Sequence, residues 1–578
     1  MPTGVRVGEI FLWPQTHREV DHYIQLEEQG ISDAQLRIIR LRMHRNMLSP
    51  ICRIPLELLS QIFVALARAY AEDYYLHYDH TSWPQKHWIV ITAVCRHWRD
   101  VAFRTPRMWS YALLRQRDSL DVLSTFMKLS GHTSLMVVQP MLDWRNVLHP
   151  QILQSSKIDL LMSQFHRIQD LTFVLCSLWL KTSEQLPGSF DAPMLHTLNV
   201  GVSETVPNTR TTFPTVANAY WPKLSSLQCI LGSFALVQAL TRPTLTVLSV
   251  NNLTAPQPAI AWVDFLKGLP CLEELTIAAG LSELGIPINI IPQPTQTVIL
   301  PNLKYLSLGD AGVGTASADF LNHLIIPVGV RKNLRTSHGG TEEELRFVLS
   351  AYAAKALGHG VIGRVHEPPR VLSLEPRPLE VCIYVYTKDV RVSGGVNDPW
   401  DMGTTSSVRG VEEEAFMIKG PNERVVRMFL SLYPVQQVHG IRVDMVDLRD
   451  DSTWRMIANL PNLVEMYFTY ADTSVATLLG VLPQAVSFPK LKTLIFNAVT
   501  WNKAHSGLKK RRRHEGSLLP ALVRAMRVRF ERGQGLKRLE LPWSSNIESQ
   551  YRCHEFFAQL RGLLWTSSNT DTIQMVQK

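Results

Sequence analysis

Apolar positions along this chain follow two rhythms, and the first gives way to the second near residue 119. From His17 to Leu48, Val20, Tyr23, Ile24, Leu26, Ile31, Leu36, Ile38, Ile39, Leu41 and Met47 alternate with Arg37, Arg40, Arg42 and Arg45 at helical spacing. Gly30 is expected to split this helix in two, with Ser32 or Asp33 capping the second piece. Pro55 then opens a helix carrying Leu58, Leu59, Ile62, Phe63 and Leu66 on one face. A further helix sets Val94, Trp98, Val101 and Ala102 against Arg96, Arg99 and Asp100 until Thr105-Pro106 stops it. The insert between them, Arg68 to Trp88, lacks periodicity and predicts a loop that partly packs. Two helices this short and this apolar cannot bury each other completely, so part of their surface meets the rest of the chain or a partner.

The second rhythm is a recurring phrase: a proline, then Leu-x-x-Leu-x-apolar. It appears in FLKGLPCLEELTI from Phe265, MIANLPNLVEMYF from Met456, and in shorter copies at 193–200, 222–230, 243–250, 301–308, 489–496 and 535–541. Weaker copies sit at Ile168-Leu171-Phe173 and Val438-Ile441-Val443. First leucines at 195, 224, 245, 272 and 303 step by 29, 21, 27 and 31 residues. In each copy the leucines point inward from a short strand while the residues between face out. One strand with one helix cannot cover its own apolar side, so copies must stack. The outward positions are Thr197, Asn199, Gln228, Glu274, Thr276, Tyr305, Ser307, Glu465, Tyr467, Thr493, Arg538 and Glu540, a mixed set suited to a protein target. From Leu324 to Val438 the phrase fades into a helix at 341–358 with a Thr341/Glu344 capping box and a strand at 379–387. Insertions are expected near 388–415 and 500–517.

The first block carries a resemblance. Ile-Pro-Leu-Glu-Leu-Leu-x-x-Ile-Phe at 54–63, Val-Cys-Arg-His-Trp-Arg-Asp-Val-Ala at 94–102 and Thr-Pro-Arg-Met-Trp at 105–109 resemble the F-box of fungal F-box proteins, with Ile54 in place of the usual leucine. The resemblance implies a module that holds a Skp-type adaptor and, through it, a cullin ubiquitin ligase. Pro55, Leu56, Leu59, Ile62, Phe63, Val94 and Trp98 would be its adaptor contacts. The second block resembles leucine-rich-repeat proteins but lacks the asparagine that usually follows the strand. The expected fold is therefore α/β: an N-terminal helical segment at 1–47, a small helical F-box at 48–118 and an irregular leucine-rich-repeat solenoid at 119–578. Its function would be substrate recognition for the ligase, with an unknown protein target; the alternative is a repeat scaffold with no ligase attached.

Composition narrows the classes. With 46% apolar and 19% charged residues over 578 positions, the chain is too apolar for general disorder. No apolar run reaches the length of a membrane span, and the seven scattered cysteines form no CxxC pair, which suits buried thiols in the cytoplasm or nucleus. Five of the nine net positive charges lie in one run, Lys509 to Arg513, so the balance elsewhere argues against nucleic acid. That run reads as a solvated loop or an import signal. Candidate chemistry does not assemble. Gly358 to Gly363 spells a dinucleotide-binding pattern, yet a helix leads in where a strand is required. His77 and His80 have a His-x-x-His spacing that zinc permits, but among His87, Cys95 and His97 no second pair completes a site and Cys95 falls in the expected helix beside Trp98; Asp444, Asp447, Asp450 and Asp451 read as turn formers. No catalytic residue, cofactor or metal is expected.

Overall fold

The computed structural model describes residues 16–76, 88–113, 119–138, 155–175, 191–202, 220–282, 296–310, 314–336, 341–356, 359, 361–362, 371–377, 380–386, 414–419, 422–444, 448–469, 472–484, 487–497, 518–543, 559 and 573–577. They form two compact units, the first comprising residues 1–174 and 178–194 and the second the remainder. The first unit includes the strands that follow residue 110, which pack with the helices before them.

The first unit begins with helix α1, His17–Met47, capped by Thr16 Oγ1, which accepts from Glu19 N at 3.3 Å. The break expected at Gly30 is absent. A helix-interior glycine costs only about 1 kcal/mol against alanine, and the helix formers on both sides outweigh it. Helix α2, Leu56–Leu76, starts after Pro55, whose carbonyl accepts from Leu59 N at 3.0 Å. It continues through residues 69–76, which the sequence assigns to a loop, carried there by alanines at 65, 67, 69 and 71. The rest of the insert, 77–87, lies outside the described residues. Two pieces replace the single helix expected next: α3, Ile91–Val94, and α4, Arg96–Phe103. Cys95 between them is extended, and its thiol accepts from Trp98 N at 3.4 Å, so a side-chain cap starts a new helix where the pattern predicts continuity.

Residues on both sides of the insert enter one core. Leu59, Phe63 and Ala67 of α2 bury against Trp88, Ile91, Val101, Ala102, Met108 and Trp109. Helix α5, Leu120–Leu129, adds Phe126, and α6, Ser155–Met162, follows. Three parallel strands complete the unit: β1, Tyr111–Leu113, β2, Leu135–Val138, and β3, Ile168–Leu175. The buried Arg167 guanidinium locks the end of α5 to the start of β3. It donates to Met127 O at 3.1 Å, Ser130 Oγ at 3.1 Å, Thr133 O at 2.9 Å and Gln164 Oε1 at 2.8 Å.

In the second unit the leucine phrase becomes a parallel sheet. Its strands are β4 (Thr197–Val202), β5 (Ser226–Ile230), β6 (Val247–Asn251) and β7 (Glu274–Ala278), each paired in parallel with the next. Two-residue β8 (Val298–Ile299) precedes β9 (Tyr305–Asp310), which pairs with β7. Strands β10 (Leu324–Pro327) and β12 (Val361–Ile362) join β8 in a separate small parallel sheet. The main sheet continues through β11 (Arg331–Thr336), which pairs with β9. Phrase leucines fill the core: Leu198, Leu227, Leu248, Leu275 and Leu306 are all buried, and Leu334 of β11 is buried on the same face although no phrase marks it. Helices cover that side: α7 (Phe234–Leu240), α8 (Ala259–Leu266), α9 (Thr315–Asn322) and α10 (Glu342–Ala356). The capping box read at Thr341/Glu344 is present, with Thr341 N donating to Glu344 Oε2 at 2.7 Å and Glu344 N to Thr341 Oγ1 at 3.2 Å.

The missing asparagine has a structural substitute. Leu231, Asn252 and Ala279, each just after its strand, all adopt positive φ (60°, 54° and 50°), and each donates its amide to the end of the next strand. The chain turns the same way three times with three different side chains. Gly280 follows the last of these turns because a Cβ there would sit 2.9 Å from Ile277 Cγ2.

Where the phrase fades, chain order and spatial order part. Strands β13 (Val371–Arg377), β14 (Glu380–Tyr386) and β15 (Glu414–Lys419) insert as a meander, β15 pairing with β11 in parallel and β14 running antiparallel to both neighbours. Strand β13 then pairs in parallel with β16 (Gly440–Asp444), and the register resumes through β17 (Glu465–Thr469), β18 (Thr493–Asn497), β19 (Arg538–Trp543) and β20 (Ile573–Gln577). Helices α11 (Asn422–Leu432), α12 (Asp451–Ala458), α13 (Asp472–Val481) and α14 (Leu518–Glu531) accompany them. Both expected insertions, 388–415 and 500–517, lie almost wholly outside the described residues.

Candidate protein-interaction surfaces

Helix α2 divides its apolar residues between two faces. Leu59 and Phe63 are 1% exposed, while Leu56, Leu58 and Ile62 are 51–52% exposed. The seven positions singled out as adaptor contacts therefore separate into two kinds. Pro55, Leu56, Ile62 and Val94 stand open, whereas Leu59 and Phe63 belong to the interior and hold the helix in place. Trp98 is half-buried with its ring centroid 5.3 Å from that of Phe63. Sequence reasoning misses Ile89, Val90 and Phe103, all large, apolar and exposed. Phe103 stacks at 5.5 Å on the buried Trp109, so one of its faces is fixed and the other open. A set of exposed aliphatic side chains on short helices with a rigid aromatic core beneath them suits burial against another protein.

The second unit offers a different surface. Register brings Asn199, Gln228, Ser249, Thr276, Ser307 and Asn333 side by side across six strands, a row of uncharged polar groups on the face opposite the buried leucines. Asn199 and Ser307 are nonetheless buried, so neighbouring side chains close the row over them and only Gln228, Ser249, Thr276 and Asn333 stay partly open. Thr197, Ser226, Val247, Glu274, Tyr305 and Arg331 form the row beside it. Arg331 lies over the Tyr305 ring at 5.7 Å, and Asn333 Nδ2 donates to the Tyr305 hydroxyl at 3.4 Å. The outward set read from the sequence omits Ser226, Ser249, Arg331 and Asn333 for two reasons: the phrase fades at β11, and the short polar side chains carry no signal of their own.

Beyond the meander, Glu465, Thr493 and Arg538 share one row, and Tyr467 and Glu540 another with Arg442 and Ile495. Outward direction does not leave this second row open: Arg442, Tyr467, Ile495 and Glu540 are buried, as is Thr493. Arg442 packs over the Tyr467 ring at 5.2 Å, and Arg538 Nη2 pairs with Glu540 Oε1. These contacts are structural.

Other candidates resolve as architecture. Asp450 caps α12, and the Ser452 hydroxyl and amide, with Arg427 at 3.1 Å, hold its carboxyl below the usual carboxylate range. Asp447, His77, His80, His87 and the Lys509–Arg513 run lie outside the described residues, as do the three glycines of the 358–363 pattern. Among the described residues no group of three His, Cys, Asp or Glu side chains is arranged to hold a metal, and no helix is long and apolar enough to cross a membrane. No protein-family model and no curated protein matches this chain.

Proposed function

We propose that this chain is the substrate-recognition subunit of a Skp-cullin-F-box ubiquitin ligase, working in the cytoplasm or nucleus. The observation that carries the reading is the two-faced α2: an interior face that anchors the helix and an exposed aliphatic face with no role in the unit's own core. Leu56, Leu58, Ile62 and Val94 would bury against the adaptor, each fully buried side chain contributing roughly 1.5–3 kcal/mol. The second unit is read as an irregular leucine-rich-repeat solenoid, with Gln228, Ser249, Thr276 and Asn333 of the first row and Glu274, Tyr305 and Arg331 beside them contacting the target protein. This chain would then perform no chemistry. It would hold the target close to a ligase-bound conjugating enzyme, raising the effective concentration of the reacting lysine.

The test is capture of a purified Skp-type adaptor by the full chain and by its Leu56→Asp, Ile62→Asp variant. Both substitutions sit at exposed positions, so the core survives them. Capture by the wild type and loss in the variant supports the reading; a folded wild type that captures no adaptor rejects it and leaves a scaffold without a ligase.

A further inference from the structure

Helix α1 is 31 residues long, about 46 Å at 1.5 Å per residue. Nine of its large apolar side chains, from Val20 to Leu41, are 38–69% exposed. A helix with so much apolar surface in water lacks the packing from which helices in proteins draw most of their stability. Its sequence supplies a seam. Ile24, Ile31 and Ile38 are spaced by seven, and Val20, Ala34 and Leu41 fall on the alternate core positions of the same heptad register, which Glu27 interrupts once.

Charge then selects the occupant. Residues 17–33 carry Glu19, Asp21, Glu27, Glu28 and Asp33 against a single arginine, while residues 34–47 carry Arg37, Arg40, Arg42 and Arg45 and no acid. The helix is acidic at one end and basic at the other, hence complementary to itself when reversed. A parallel pair would place Glu27 on Glu27 inside the seam and stack the arginines on one another. Antiparallel pairing opposes Ile24 to Leu41 and Ile31 to Ala34, and moves Glu27 into the partner's basic half. The arrangement is two-fold symmetric, as most closed homodimers are.

We propose that α1 is a self-association element through which two copies of this chain pair as an antiparallel coiled coil. The surface is separate from the adaptor contacts, so pairing and adaptor capture stand or fall independently. Sedimentation equilibrium of the full chain should give twice the monomer mass of 65.6 kDa. The Ile31→Asp, Ile38→Asp variant, altered only at exposed positions, should give the monomer mass with its remaining circular dichroism preserved. An oxidised Ile24→Cys, Leu41→Cys variant should yield intermolecular 24–41 disulfide peptides by mass spectrometry, since 17 residues of straight helix separate the two sites within one chain. A monomeric wild type, a dimer that survives the aspartates, or 24–24 and 41–41 links each overturn the proposal.

Discussion

Trp88 and Trp109 meet edge to face, ring centroids 5.3 Å apart at 69°, from opposite ends of the stretch that follows the insert. Each also meets Phe126 of α5, at 5.5 and 5.4 Å, and Trp109 Nε1 donates to Ala102 O at 2.8 Å. This triad ties α5 to both ends of that stretch. Trp109→Ala should cost about 3–5 kcal/mol in denaturant unfolding, as large-to-small core changes of aromatics do. Trp109→Phe keeps a ring in the cluster and removes one of two donors to Ala102 O, which still accepts from Thr105 N at 3.1 Å, and should cost only about 0.5–1.5 kcal/mol for the lost hydrogen bond.

Leu59 and Ile62 lie three residues apart on α2 with 1% and 51% exposure. Leu59→Ala should destabilise by about 2–5 kcal/mol. Ile62→Ala should stay within about 0.5 kcal/mol of wild type. Paired melts of the two variants read the difference, and equal costs would mean that Ile62 is covered in the free protein.

Arg167 replaces what would be several separate loop contacts. A hydrogen bond to a charged group contributes about 1.5–3 kcal/mol, and this guanidinium makes them to four residues. Arg167→Met should therefore cost more than about 3 kcal/mol. Arg167→Lys should recover little, because an ammonium cannot span the fork. Chemical denaturation of both variants measures this.

Lys355 is buried in α10 with its ammonium donating to Leu324 O at 2.6 Å. Burial, reinforced by Lys332, pushes its pKa from 10.5 down to about 8. Between those two values the unfolded chain binds more protons than the folded one, so stability rises as pH rises through that window and falls as pH drops back through about 8. Cys229 runs the other way, since burial lifts its thiol from 9.0 to about 12 and its contribution falls as pH climbs above 9.0. Subtracting the pH profile of Lys355→Met from that of wild type should isolate the lysine's upward slope; a flat difference would contradict it.

Gly30 lies mid-helix in α1 with open space where a Cβ would go. Gly30→Ala should stabilise α1 by about 0.8–1.0 kcal/mol, seen as higher helix content and slower amide exchange across residues 24–36.

The alternation of apolar and polar residues fixed each local element whose signal is local. The phrase leucines all became strands or the turns leading into them, and Thr341 and Glu344 alone specified a helix start, because side-chain direction in a strand and capping in a helix depend on neighbours within four residues. The sequence likewise placed apolar residues on α2 and outward ones on β4 to β9.

What it could not decide depended on groups distant in the chain. Leu59 and Ile62 are equally apolar, and only Trp88, Ile91 and Trp109 arriving from across the insert determine which of them is covered. The Asn199, Ser307, Thr493, Tyr467 and Glu540 side chains point outward as read, yet tertiary packing buries them. Between β11 and β16 the chain reverses its spatial order through one antiparallel strand, a choice made by strand pairing that no local spacing records. Leu231, Asn252 and Ala279 make the same left-handed turn with nothing in common as residues, because the ladder of backbone hydrogen bonds imposes the turn and the side chain only tolerates it.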